Sequence, residues 1–243
     1  MPRYFIEVGY KGTNYAGFQI QKNATTIQGE LEKALAIYFK IPWALTGASR
    51  TDSGVHARQN FYHADVDISL IPKQAILGLN AILPNDIVLQ GITLVAHNYH
   101  ARFAATARSY AYTVYQTKNP FISGDAYFYP YPLNINLLNQ AADLLFEYTN
   151  YESFSKKHTQ VLNNNCTITQ SKWVVNNGIL TYSVTANRFL RGMVRGLVAT
   201  MLKVGTSKYS INEFKNLLEN PKLATAFFNA PAHGLCLVKV HYP

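Results

Sequence analysis

Apolar and polar positions alternate from Tyr4 to Tyr10 around Phe5, Val8 and Gly9, and the run breaks at Lys11-Gly12-Thr13-Asn14, which reads as a half-buried strand followed by a turn. From Thr26 to Phe39 the period lengthens to that of a helix. Ile27, Leu31, Leu35 and Ile37 or Tyr38 share one face, with Gln28, Glu30 and Lys33 opposite. Strand-like stretches at 43–48 and 60–67 follow, then a helix over 72–82 opened by Pro72, then a β-rich run from Ile87 to Val95. The order β-α-β-β-α-β is that of a split βαβ, ferredoxin-like unit.

The rest of the chain repeats the theme. The pattern predicts a strand over 107–116, a helix over 135–148 and strands over 166–175 and 179–186 joined by Asn176-Asn177-Gly178. Helices over 189–204 and 210–219 and a closing strand over 235–242 complete it. Strands and helices mix throughout, so the fold class is α+β, in two related lobes, 1–101 and 102–243. The stretch 117–124, with Pro120 and Gly124, is the loosest connection after that boundary.

Composition narrows the class of partner. With 48% hydrophobic and 14% charged residues over 243 positions, the chain can bury a large core. Its 22 Lys and Arg against 13 Asp and Glu leave a net charge of +9, which favours a polyanionic partner. Between Glu152 and Glu213 there is no acidic residue, yet Lys156, Lys157, Lys172, Arg188, Arg191, Arg195, Lys203 and Lys208 all fall inside. A second gap, Asp86 to Asp125, holds Arg102, Arg108 and Lys118. Aromatic residues are interleaved with both gaps: Phe103, Tyr110, Tyr112 and Tyr115 in one, Phe154, Trp173, Tyr182 and Phe189 in the other. Such rings stack on bases when exposed and fill the core when not. The plainer alternative for the basic gaps is a solvated face.

Cys166 and Cys236 form neither a CxxC pair nor a disulfide framework, which fits a reducing, cytoplasmic setting. No signal peptide is read in residues 1–25, and the apolar stretch 189–205 carries Arg191, Arg195 and Lys203, so no membrane contact is expected.

Three constellations could carry chemistry. In Arg50-Thr51-Asp52-Ser53-Gly54-Val55-His56-Ala57-Arg58, between two expected strands, one carboxylate sits among two guanidinium groups, a setting for a nucleophile or general base. The competing reading is an Asx-turn in which Asp52 bonds backbone amides and Arg50 makes a surface pair. Arg188, Arg191 and Arg195, spaced three and four apart, would line one face of the 189–204 helix, for phosphates or a buried carboxylate, or simply for solvent. Gly192 and Gly196 on that helix would let another backbone approach. On the strand Arg108-Ser109-Tyr110-Ala111-Tyr112, Tyr110 and Tyr112 share a face, where a ring beside a reactive carboxylate could stack on a flipped base. His97 and His100 lack the partners of a metal site. His56 and His63 lack a nucleophile elbow, and no glycine-rich phosphate loop is present, so neither metal nor cofactor is expected.

These motifs, in order, resemble the TruA family of tRNA pseudouridine synthases over nearly the whole chain. Arg50 to Ala57 is similar to the family's catalytic loop, Tyr10 to Gln19 to its opening strand and turn, and Arg108 to Tyr112 to its Arg-x-Tyr-x-Tyr strand. Phe189 to Arg195 is similar to its Phe-Leu-x-x-Met-Val-Arg segment and Ala230 to Leu235 to its closing motif. Ser49 replaces the glycine usual before the arginine, Phe227-Phe228 stands where many members have a Gly-Pro-type turn, and His158 to Asn165 carries no arginine.

The resemblance implies a pseudouridine synthase fold, two ferredoxin-like (RRM-like) lobes forming a mixed, mostly antiparallel sheet with a central cleft. It implies isomerisation of uridine to pseudouridine at nucleotides 38, 39 and 40 of the tRNA anticodon stem-loop, without cofactor or metal, by a homodimer. Asp52 would be the nucleophile, attacking C1′ of the ribose or C6 of the base. Tyr110 would stack on the flipped uracil, and Arg195 would pair with Asp52. Arg50, Arg58 and Arg191 would contact the RNA. The alternatives are a non-catalytic RNA-binding protein with paired RRM-like lobes and a nucleoside hydrolase that releases uracil.

Overall fold

The computed structural model describes residues 1–156 and 162–243, which divide into two units, Met1–Thr106 with Cys236–Pro243, and Ala107–Leu235. In the first unit the chain runs β1 (Arg3–Tyr10), α1 (Ile27–Phe39), β2 (Thr46–Gly47), β3 (His56–Asp65), α2 (Ala75–Ile82) and β4 (Ile87–Val95). The strands lie in the order β4-β1-β3-β2, all antiparallel, with Ile6 opposite Tyr62 on one side and Ile92 on the other. Thr26 starts α1 by accepting the Gly29 N–H on its side chain at 3.2 Å, a cap worth about 1 kcal/mol, and Lys40 ends it at φ 62°. The apolar stripe of α1 is buried through Ile27, Leu31 and Leu35, in a core that includes Ile6, Val8, Phe18, Tyr62 and Leu79. Phe18 and Tyr62 stack with centroids 4.2 Å apart, and the Tyr62 hydroxyl donates to the Phe18 carbonyl.

The second unit holds β5 (Ala107–Tyr115), β6 (Tyr127–Phe128), α3 (Ile135–Leu144), β7 (Ile168–Asn176), β8 (Ile179–Ala186), α4 (Met193–Gly205) and α5 (Ile211–Glu219). Strand β8 pairs antiparallel with β5 and β7, and β6 runs parallel to the end of β5. Asn177 and Gly178, at φ 49° and 75°, turn the β7–β8 hairpin, since a two-residue loop that matches strand twist needs positive φ at both central positions. Helix α4 is buried along most of its length and packs against α3 and α5. Trp173 stacks on Tyr182 and donates its indole N–H to Met201 Sδ of α4 at 3.2 Å. Ser210 and Glu213 close a reciprocal capping box at the start of α5. The last strand, β9 (Leu235–His241), lies from Cys236 onward in the first unit, where Cys236 and Leu237 pair in parallel with His56 and Ala57 of β3.

The α+β class is as the pattern predicts. Several boundaries differ, three of them for plain local reasons. Strand β2 shrinks to two residues because only Thr46 and Gly47 find partners, on His63 and Tyr62. Pro72 stands a turn ahead of α2 and accepts the Ala75 N–H. Helix α4 starts at Met193 because Gly192 sits at φ 74°, which breaks the helix that the apolar run from Leu190 predicts. No helix among the described residues is long and apolar enough to cross a membrane.

Candidate functional site

The loop between β2 and β3 is held from both ends and from beneath. Asp52 accepts the Val55 N–H on its backbone carbonyl at 3.2 Å, and Gly54 takes the positive φ, 78°, that the third position of a type II turn needs. Below the turn the segment after β1 comes into backbone contact. Phe18 N–H donates to the Thr51 carbonyl at 3.1 Å, and Gly17, at φ 113°, faces Thr51 and Ser53. The Ser53 hydroxyl returns to the Tyr15 carbonyl at 3.1 Å. Thr51 is buried, its hydroxyl 2.8 Å from that of Tyr10, and Asn60 of β3 donates to both the Ser49 carbonyl and the Tyr10 hydroxyl. Breaking a buried pair of this kind leaves a partner unsatisfied at a cost of about 1–3 kcal/mol.

This arrangement spends backbone groups on the turn and leaves the acid side chain out of it. The turn bond is made by the Asp52 carbonyl, and not by the side chain as the Asx-turn alternative has it. Asp52 is half-buried, and within its own unit no hydrogen bond or ion pair among the described residues holds its carboxylate. Arg50 and Arg58 are both exposed, Arg50 on the loop and Arg58 on β3. His56 takes a supporting part. Its Nδ1 accepts the Gly12 N–H at 3.0 Å, which ties the turn after β1 to the start of β3.

The remaining candidates lie in the second unit. Tyr110, on β5 opposite Val184, is half-buried and meets Phe189 edge-on at 5.1 Å. Tyr112, on the same face, is fully buried and donates its hydroxyl to the Pro231 carbonyl at 2.8 Å; burial raises its pKa. Arg195, in the first turn of α4, donates from Nε to the Ala230 carbonyl at 2.7 Å. Tyr112 and Arg195 thus clamp consecutive carbonyls of the Ala230-Pro231 segment, and Gly234 has no room for a Cβ, which would come 2.6 Å from the Tyr112 ring. The sequence singled out Tyr110 and Arg195 as candidates. It missed the clamp itself, although the closing motif that forms it was visible.

The expected stripe of three arginines does not form. Arg195 alone lies on α4, while Arg188 and Arg191 precede the left-handed Gly192 and are not on the helix, so no helical face unites them. Arg191 is exposed and its carbonyl accepts the Lys156 N–H. Gly192 and Gly196 accommodate side chains and not a second backbone: the Lys156 stem covers the first and the Phe228 ring the second. Of the other basic residues, Lys203 sits 5.0 Å from the Phe227 ring centroid and Lys208 4.8 Å from that of Tyr131. Lys157 and the first half of the arginine-free segment, 158–161, lie outside the described residues.

Comparison with known proteins adds the chain's relationships. The family profile described as tRNA pseudouridine synthase matches residues 144–243. The tRNA pseudouridine synthase A of Porphyromonas gingivalis is 41% identical, over 100% of this chain and 98% of its own. That of Parabacteroides distasonis is also 41% identical, over 100% and 97%, and that of Staphylococcus aureus 35%, over 98% and 91%.

Proposed function

From its membership of the tRNA pseudouridine synthase A family, to which the chain belongs at 41% identity over its full length, we propose that it isomerises uridine to pseudouridine in tRNA. The observation that carries this reading is the Asp52 loop, a turn fastened by backbone bonds that leaves a half-buried carboxylate unspent within its unit. A nucleophile needs that combination of fixed position and unused lone pairs.

In the reaction the N1–C1′ bond breaks, the uracil turns, a C5–C1′ bond forms, and the proton on C5 is lost while N1 regains one. Nothing is added to or removed from the nucleotide overall. Asp52 supplies the attacking oxygen, to C1′ or to C6. Tyr110 stacks on the extruded uracil and assists loss of the C5 proton, and Arg195, steadied by the Ala230 carbonyl, pairs with Asp52. Arg50 contacts the RNA beside the extruded nucleotide, and Arg58 and Arg191 contact its backbone. The targets are uridines 38, 39 and 40 of the anticodon stem-loop, and the working form is a cytoplasmic homodimer.

The test is incubation of the purified chain with an unmodified tRNA transcript carrying uridine at those positions, followed by mass spectrometry of nucleosides and mapping of the product. Pseudouridine at 38–40 is expected. Unaltered uridine would support a binding module, and free uracil a hydrolase.

A further inference from the structure

Next to Arg50, and wholly within the first unit, lies a cleft of about 310 Å³, at the lower end of the range, about 300–1,000 Å³, typical of small-ligand sites. Its lining includes Phe18, Arg50, His100, Arg102 and Phe103, and no acidic residue is among the described lining. Phe18 is buried, both arginines are exposed, and Phe103 exposes 76% of its surface. An exposed phenylalanine alone means little. This one is flanked by charge and firmly mounted. The Arg102 guanidinium carbon lies 5.7 Å from the Phe103 centroid, and the His100 ring centroid lies 4.3 Å from it with the two planes tilted by 36°.

The mount is built from side-chain bonds to the backbone of residues 101–103. His100 Nδ1 accepts the N–H groups of Arg102 and Phe103 at 3.1 and 3.4 Å. Behind it, His63 of β3 lies 4.4 Å from His100 and accepts the Ala101 N–H, and Tyr242 donates to the Ala101 carbonyl at 2.7 Å. The backbone that carries the ring is therefore held before any ligand arrives, which lowers the ordering cost of binding. A rigid aromatic face next to two guanidinium groups suits an unpaired nucleotide, whose base offers a π-face and whose phosphate offers negative charge. It suits paired RNA poorly, because bases inside a helix present no free face.

We propose that this cleft is a nucleotide subsite that takes one unpaired nucleotide of the RNA substrate, with its base on Phe103 and its phosphate between Arg102 and Arg50. That the RNA is tRNA rests on the function proposed above; the stacking geometry does not. With Arg50 shared between the loop and the cleft, the occupant is a near neighbour of the extruded uridine.

Trp43 and Trp173 are both buried, so Phe103→Trp introduces the exposed indole whose emission reports stacking. Titration with an unmodified tRNA transcript should reduce that emission to a saturating plateau, while inorganic phosphate should leave it unchanged. Phe103→Ala should weaken tRNA affinity about tenfold, with the loss in turnover falling on KM more than on kcat, and Phe103→Trp should retain affinity. Indole emission that tRNA does not alter, or unchanged affinity in Phe103→Ala, overturns the proposal. So does weakening by Arg102→Gln with none by Phe103→Ala, which would reduce the cleft to a phosphate contact. The isomerase reading fails separately: RNA-dependent quenching with no pseudouridine formed by the wild type would leave the subsite standing and remove the activity.

Discussion

Gly12 and Val55 are in backbone contact, so close that a Cβ on Gly12 would meet the Val55 carbonyl oxygen at 2.0 Å. The two positions are far apart in sequence, and their contact brings the turn after β1 against the loop that carries Asp52. A side chain at 12 forces one of the two backbones to move.

Gly12→Ala should therefore impair turnover through the loop while sparing most RNA affinity. A displacement of about 1 Å at a reacting group costs on the order of 100-fold in rate, so kcat should fall by about that factor. Single-turnover rates at saturating tRNA, beside binding measured by filter retention, check this. A rate equal to that of the wild type would mean the loop is not positioned from Gly12.

At Tyr110 the ring and the hydroxyl can be separated. Its edge-on contact with Phe189 fixes the ring, and Tyr110→Phe preserves that contact. If stacking is the main role, Tyr110→Phe keeps substantial activity and Tyr110→Ala loses about tenfold or more in kcat/KM. Equal, wild-type activity in both would place Tyr110 outside the site.

His63 makes the first unit sensitive to acid. Burial, the neighbouring His100 and Arg3 hold its pKa down at about 4, with Asp65 and the Thr46 backbone opposing. In the unfolded chain an imidazole takes up its proton near its ordinary value of about 6.5. Between those two values the unfolded state binds the proton and the native state does not, so stability is complete above the upper value and falls as pH drops towards the lower one. Thermal melts should show a lower midpoint at acidic than at neutral pH, and His63→Gln should flatten that dependence. An equally steep fall in the variant would assign the acid sensitivity elsewhere.

Much of this fold was legible because its elements have clear periods and caps. The α1 stripe with Thr26 at its start, the Ile87–Val95 strand, the Asn177-Gly178 turn and the capped α5 all lie where the sequence puts them. The start of β3 was hidden because Arg58, Gln59 and Asn60 interrupt the alternation, yet His56 and Ala57 already pair with β9, and Ala57 with Tyr10. The break before α4 was hidden for the opposite reason: Leu190, Met193 and Val194 keep an apolar rhythm across it, and only the positive φ of Gly192 stops the helix. The Asp52 loop was visible as a candidate because a carboxylate between arginines stands out. Its fastening was not, since contacts such as Tyr10 with Thr51 or Arg195 with Ala230 join residues by fold and not by spacing.

The central claim is that the Asp52 carboxylate is the reacting group. Asp52→Asn keeps the shape of the side chain and the backbone turn while removing the nucleophilic oxygen. Pseudouridine formed by this variant, measured by nucleoside mass spectrometry under single-turnover conditions with saturating tRNA, should fall by about 10⁴-fold or more, with fold and tRNA affinity retained. Turnover within about tenfold of the wild type would contradict the account and remove Asp52 from the mechanism.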